Sequence, residues 1–101
     1  MSINIDPIVY IVDDCDSVRD ALSLLMKSVG LKAICFSLAK EFLNDCKPVG
    51  PGCLVLDVRM PGMSGLELQQ WIVAKKMPLP IIMITGHGDV SMAVHAMRAG
   101  A

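Results

Sequence analysis

Four short strand-like runs alternate along the chain with longer segments in which apolar residues recur every three or four positions. The runs are Ile8–Val12, Lys32–Phe36, Cys53–Leu56 and Ile81–Ile84. Unbroken apolar runs bounded by turn residues read as buried strands, and a three-and-four spacing reads as an amphipathic helix. Val18, Ala21, Leu22, Leu25, Met26 and Val29 predict a first helix, with Asp14 or Asp16 as its cap and Gly30 as its stop. Ser37 is expected to cap a short second helix carrying Leu38, Phe42 and Leu43. Lys47-Pro-Val-Gly-Pro-Gly52 is a loop by composition. A third helix is predicted over Ser64–Lys76, with Leu68, Trp71 and Ile72 on a core-facing stripe, and Met77-Pro-Leu-Pro80 breaks it. A last helix is predicted over Asp89–Ala99, with Val90, Ala93, Val94 and Met97 facing inward and His95 facing solvent.

The order is therefore strand and helix, four times over. Each crossover is long enough to join parallel neighbours, and such crossovers are right-handed by strong default. The expected fold is a doubly wound α/β parallel sheet. Ligands of such sheets sit beyond the carboxyl ends of the strands, at the point where the strand order reverses. Asp13, Asp14, Asp57 and Thr85 all fall at strand ends of that kind.

Composition supports a sheet covered on both faces. The 101 residues are 53% hydrophobic and 19% charged. Usual values are about 45–50% and about 25%. A formal net charge of −1, with no basic run, argues against nucleic-acid binding by this segment. The four cysteines at 15, 35, 46 and 53 lack C-x-x-C spacing, which argues against a zinc site or a disulfide framework and fits a reducing compartment. No basic N-terminal region precedes a long apolar stretch, so neither a signal peptide nor a membrane span is expected, and a cytoplasmic location is. The eight methionines read as core filling, with Met60, Met63 and Met92 as candidates for a partner surface.

Three carboxylates at one sheet end repel one another unless a cation joins them. A hard divalent cation takes oxygen ligands and keeps several waters, so one or two carboxylates and a backbone carbonyl suit it. Carboxylates also serve as nucleophiles that form covalent phosphoryl intermediates. Asp57 can play both parts. Each residue also has a plainer reading: Asp13 and Asp14 as a strand end and a cap, Asp57 as a turn residue, Arg59 as a solvated charge, His87 as a loop residue, Thr85 as a capping hydroxyl.

The stretches Asp13-Asp14, Asp57-Val-Arg-Met-Pro-Gly-Met-Ser-Gly-Leu-Glu67, Thr85-Gly-His-Gly-Asp89 and Ala96-Met-Arg-Ala-Gly-Ala101 resemble a bacterial response-regulator receiver domain of the FixJ type. The resemblance covers essentially the whole chain. It implies a flavodoxin-like fold, here with strand order 2-1-3-4. It implies Asp57 as the phosphoacceptor from a sensor histidine kinase, without enzymatic activity beyond slow self-catalysed phosphorylation and dephosphorylation. It implies Mg2+ held by Asp14, Asp57 and the backbone carbonyl of Arg59, with Asp13 acting through a water. It implies Thr85 as the switch hydroxyl, and Arg59 and His87 at the mouth of the site.

The resemblance also implies a fifth strand ending in Lys-Pro, a fifth helix and a downstream DNA-binding output domain. None of these follows Ala101, and Lys47-Pro48 precedes the third strand, so residues 1–101 are expected to be a receiver incomplete at its C-terminus. A second reading follows: a truncated, non-phosphorylated interaction module that forms a homodimer or larger oligomer through an exposed fourth strand and last helix. An aspartyl phosphatase is disfavoured, because Arg59 stands where a second acid is needed.

Overall fold

The computed structural model describes residues 6–46 and 50–84. They form β1 (Ile8–Val12), α1 (Asp16–Ser28), β2 (Lys32–Phe36), α2 (Ala39–Asp45), β3 (Gly52–Asp57), α3 (Gly65–Ala74) and β4 (Ile81–Ile84). The strands make one parallel sheet in the order β2-β1-β3-β4. The order reverses between β1 and β3, whose register aligns Val12 with Leu56. The four predicted strands and first three helices are present, and β3 is one residue longer at each end than the apolar run Cys53–Leu56. The predicted last helix, Asp89–Ala99, lies outside the described residues.

Successive strand residues point to opposite faces, and both faces are covered, which explains why β1 and β3 are apolar without alternation. On one face Tyr10, Val12, Leu54 and Leu56 pack with Phe42 of α2 and Leu68 and Ile72 of α3. Phe42 meets Tyr10 and Phe36 edge-on, with ring centroids 5.9 and 5.5 Å apart. On the other face Val9, Ile11 and Val55 pack against Leu22 and Met26 of α1. Each such buried side chain contributes about 1.5–3 kcal/mol, so the two strands that carry the acids are the most firmly held.

α1 ends as predicted. Gly30 takes φ 77°, its N–H reaches Lys27 O, and Leu31 N–H reaches Met26 O. This is a Schellman ending, which needs the left-handed residue. Its start differs from expectation: Cys15, not Asp14 or Asp16, occupies the N-cap, and no side chain caps it. Asp14 joins the acids at the sheet end instead, and Asp16 pairs with Arg19. The apolar stripe of α1 is only half used, with no residue of the helix buried and Leu25 and Val29 exposed. Ser37 does not cap α2 either. Leu38 is the N-cap, while Ser37 donates from its backbone N–H and its hydroxyl to Glu41 Oε1.

Trp71, expected on the core-facing stripe of α3, faces elsewhere. It is not core but 39% exposed, with Lys75 Nζ 5.5 Å from its ring centroid. The buried stripe of α3 is Gly65, Leu68, Gln69 and Ile72. Met60 is buried, and Met63, Met77 and Met83 pack around the same cluster, in keeping with core filling. β4 has a neighbour on one side among the described residues, and Ile82 on it is 53% exposed.

Candidate functional site

The site begins where β1 stops. Val12 is fully buried, and Asp13 follows it with 3% exposure. The Asp13 N–H donates to Phe36 O at 3.1 Å, tying the end of β1 to the end of β2. Its carboxylate Oδ1 accepts from Cys15 N–H at 2.8 Å. An aspartate turned back onto the backbone two residues on closes a tight turn. That turn delivers the next residue, Asp14, to the surface, where it is exposed.

Asp57 comes from the neighbouring strand. It is the last residue of β3 and pairs in register with Ile84, the last of β4. Val58 N–H donates to Ile84 O at 3.1 Å, so the strand ends are locked together just past the acid. The chain then turns through residues 58–64. Asp57 Oδ1 accepts from Arg59 N–H at 3.3 Å. Val58 and Met60 are buried and anchor the loop from below, while Gly62 takes φ 77°.

α3 starts on a reciprocal cap. Glu67 N–H donates to Ser64 Oγ at 3.2 Å, and Ser64 N–H donates to Glu67 Oε1 at 3.3 Å. Such capping boxes satisfy two otherwise orphaned donors. Gly65 lets this helix start sit directly on the acid's own backbone. Its N–H donates to Val58 O at 3.0 Å. A methyl group on it would overlap the Asp57 carbonyl oxygen and lie 2.9 Å from the carbonyl carbon and 3.0 Å from Val58 Cα.

These constraints converge on one feature. Asp13, Asp14 and Asp57 offer carboxylate oxygens that all lie within 4.8 Å of one another. Burial pushes the Asp57 carboxyl up to about 6 from 3.8, and the charges of Asp13 and Asp14 push the same way against the Arg59 N–H bond. Clustered carboxylate oxygens at this spacing form a donor set that a hard divalent cation fits. Thr85 and His87 lie outside the described residues, so the site is built from Asp13, Asp14, Asp57 and the exposed Arg59.

One element of the site was not anticipated. Arg19, on the second turn of α1, donates from Nη1 to the Asp13 carbonyl oxygen at 2.6 Å and pairs through Nη2 with Asp16. The sequence signal was Asp16-x-x-Arg19, a three-residue spacing that puts both on one helix face. A shallow cavity of about 270 Å3 lies nearby, lined by Leu38, Ala39, Lys40, Pro61, Gly62 and Met63. It contains none of the three acids and is not the acid site.

The geometry agrees with what known proteins share with this chain. The response regulator receiver domain family matches residues 9–101. Response regulator protein TmoT of Ectopseudomonas mendocina is 52% identical over 96 residues, 95% of this chain and 44% of TmoT. Transcriptional regulatory protein FixJ of Bradyrhizobium diazoefficiens is 44% identical over 93 residues, 92% of this chain and 45% of that protein. The chain thus spans less than half the length of these relatives. Among solved structures, the FixJ N-terminal domain superposes with a TM-score of 0.87 at 45% identity, covering 97% of this chain and 78% of that one. Response regulator StyR gives the same TM-score at 49% identity, covering 96% of this chain and 49% of that one. With the family matched over nearly its whole length, the chain belongs to the response regulator receiver domains.

Proposed function

We propose that Asp57 is the phosphoacceptor of this receiver domain. It takes a phosphoryl group from a sensor histidine kinase and passes the change on to an output domain of a longer protein. The observation that carries the reading is the convergence of Asp13, Asp14 and Asp57 oxygens within 4.8 Å at the ends of β1 and β3. Asp14, Asp57 and the Arg59 carbonyl are the proposed Mg2+ ligands, with Asp13 acting through a water. A bound divalent cation supplies charge screening between the carboxylate and the incoming phosphoryl oxygens.

The rest falls to the chain's own residues. With its carboxyl raised to about 6, Asp57 is still mostly ionised at neutral pH and is more basic than an ordinary aspartate. In the transfer, one Asp57 oxygen attacks phosphorus and the P–N bond to the donor imidazole breaks. The leaving imidazole takes a proton, and an acyl phosphate is left on Asp57. Such transfers rely on positioning and charge stabilisation rather than on further covalent chemistry. Arg59 N–H, already donating to Asp57 Oδ1, holds the carboxylate's orientation. Water attack on the acyl phosphate returns the carboxylate slowly, so the protein is an acceptor and switch rather than an enzyme with turnover. Thr85 is the proposed hydroxyl donor to the phosphoryl oxygens.

The test is intact mass after incubation with a small acyl phosphate donor and Mg2+. One added phosphoryl group is expected, absent in Asp57→Asn and absent when Mg2+ is chelated. No gain in mass, or an equal gain in Asp57→Asn, refutes the assignment.

A further inference from the structure

Arg19 is a mostly buried cation whose bonds point away from ordinary surface pairing. Its side chain is 16% exposed, whereas that of its acidic partner Asp16 is 87% exposed. An exposed partner on the same helix contributes little and does not explain why the guanidinium is drawn inward. The second bond does. Nη1 donates to the Asp13 carbonyl oxygen at 2.6 Å. The guanidinium therefore ties α1 to the end of β1.

The Asp13 carbonyl belongs to the peptide that joins Asp13 to Asp14. That peptide is planar, so fixing its oxygen fixes its plane, and with it the directions in which the two acids leave the backbone. The neighbouring groups are already held. Asp13 N–H is bound to Phe36 O, and Asp13 Oδ1 to Cys15 N–H. Arg19 supplies the remaining restraint on the one peptide that separates two of the three clustered carboxylates. Its contact with the site is to this backbone carbonyl.

We propose that Arg19 is a positioning residue of the acid site, fixing the Asp13–Asp14 peptide plane and so setting how both carboxylates meet a divalent cation. The inference rests on the reading of Asp13, Asp14 and Asp57 as a Mg2+ site. It makes a prediction of unusual sign. Removing a nearby cation should, by charge alone, tighten Mg2+ binding. Removing a positioning group should weaken it, typically by about 10–100-fold for outer-shell partners of a metal site.

The experiment is Mg2+ titration by calorimetry of the wild-type chain, Asp57→Asn, Arg19→Ala and Arg19→Lys, with thermal unfolding of each in chelator. Arg19→Ala is expected to bind about 10-fold more weakly or worse while melting close to wild type without metal. Arg19→Lys is expected to stay weakened, since a point-like ammonium cannot hold a carbonyl and a carboxylate with the fixed fork of a guanidinium. Wild-type or tighter affinity in Arg19→Ala, or full recovery in Arg19→Lys, overturns the inference. If Arg19→Ala fails to fold, Arg19→Lys decides alone: weakened binding supports positioning, and unchanged binding refutes it. If the wild-type chain itself takes up no Mg2+, the metal-site reading fails, and the inference falls with it.

Discussion

Replacing Asp57 by asparagine should stabilise the protein at neutral pH in the absence of divalent cations, and the gain should disappear in acid. The Asp57 carboxyl is raised to about 6 in the folded state, chiefly by burial, with Asp13 and Asp14 adding to the effect, against an ordinary value of 3.8. A raised carboxyl favours the folded state while it holds its proton. That contribution is present below the unfolded value of 3.8 and is lost as pH rises through about 6. At about 1.36 kcal/mol per pH unit, the full difference comes to about 3 kcal/mol. Asp57 is only partly buried, so solvent screening reduces this to about 1–2 kcal/mol. The asparagine side chain keeps the shape and carries no charge, so it escapes the penalty at every pH.

Paired thermal or urea unfolding curves at half-unit steps from about pH 4 to pH 8, spanning both values, measure the difference directly. The two proteins should be nearly equal at about pH 4 and diverge between there and about pH 6.5. Asp57→Asn should then lead by about 1–2 kcal/mol, or about 4–8 °C per kcal/mol in a domain of this size. Saturating Mg2+ should close the gap by stabilising the wild type, because a ligand that binds only the folded state raises its stability. Parallel curves across the whole range, or a wild type that is the more stable at neutral pH, would show that burial and the neighbouring acids do not raise the Asp57 carboxyl.

Other substitutions probe the frame around the site. Gly65→Ala forces a methyl group into the Asp57 carbonyl and should lower stability by about 1–3 kcal/mol; amide shifts at Asp57 and Val58 should move with it. Ser64→Ala removes the Glu67 N–H partner of the capping box and should reduce the unfolding free energy in urea by about 0.5–2 kcal/mol. Phe42→Ala empties a fully buried site between Tyr10 and Phe36 and should lower stability by about 3–5 kcal/mol by denaturant unfolding. Trp71→Phe, at a half-exposed position, should change stability by about 0.5 kcal/mol or less in the same assay.

The strands and the acid cluster were legible in the sequence because both depend on short-range signals. An apolar run closed by an acid states at once that a strand is buried and that a charged group stands at its end. What escaped depended on competition between neighbours. On α3 the hydrophobic reading joined Leu68, Trp71 and Ile72, yet the buried positions are 65, 68, 69 and 72. That set is the regular three-and-four stripe. It was hidden because it includes a glycine and the amide Gln69, while a large aromatic lay one step to the side. Trp71 can stay half-exposed because Lys75 covers its ring. At the start of α1, acids at 14 and 16 look like caps, but the carboxylate of Asp14 belongs to the sheet-end cluster and that of Asp16 pairs with Arg19. Arg19 itself was hidden because a cation three residues from an acid on a helix reads as a surface pair, and its bond to the Asp13 carbonyl exists only after β1 and α1 are packed.

The two sides of the site are held with different firmness, and this asymmetry follows from the topology. Asp13 is buried, bonded through its backbone N–H, its carbonyl and its carboxylate, and cannot rearrange without disturbing β2 and α1. Asp57 ends the strand that lies between β1 and β4, and the loop after it is pinned by Val58, Gly65 and the α3 cap. Asp14 is exposed at the surface. Repulsion among the three is therefore relieved by protonating Asp57 or by a cation held among the carboxylates, because the backbones of Asp13 and Asp57 cannot separate. Charge added at Asp57 therefore meets neighbouring acids whose backbone is held in place. If Asp57 is the phosphoacceptor as proposed, the added charge acts on whatever packs against the ends of β3 and β4, as a covalent charge at a strand end must to work as a switch.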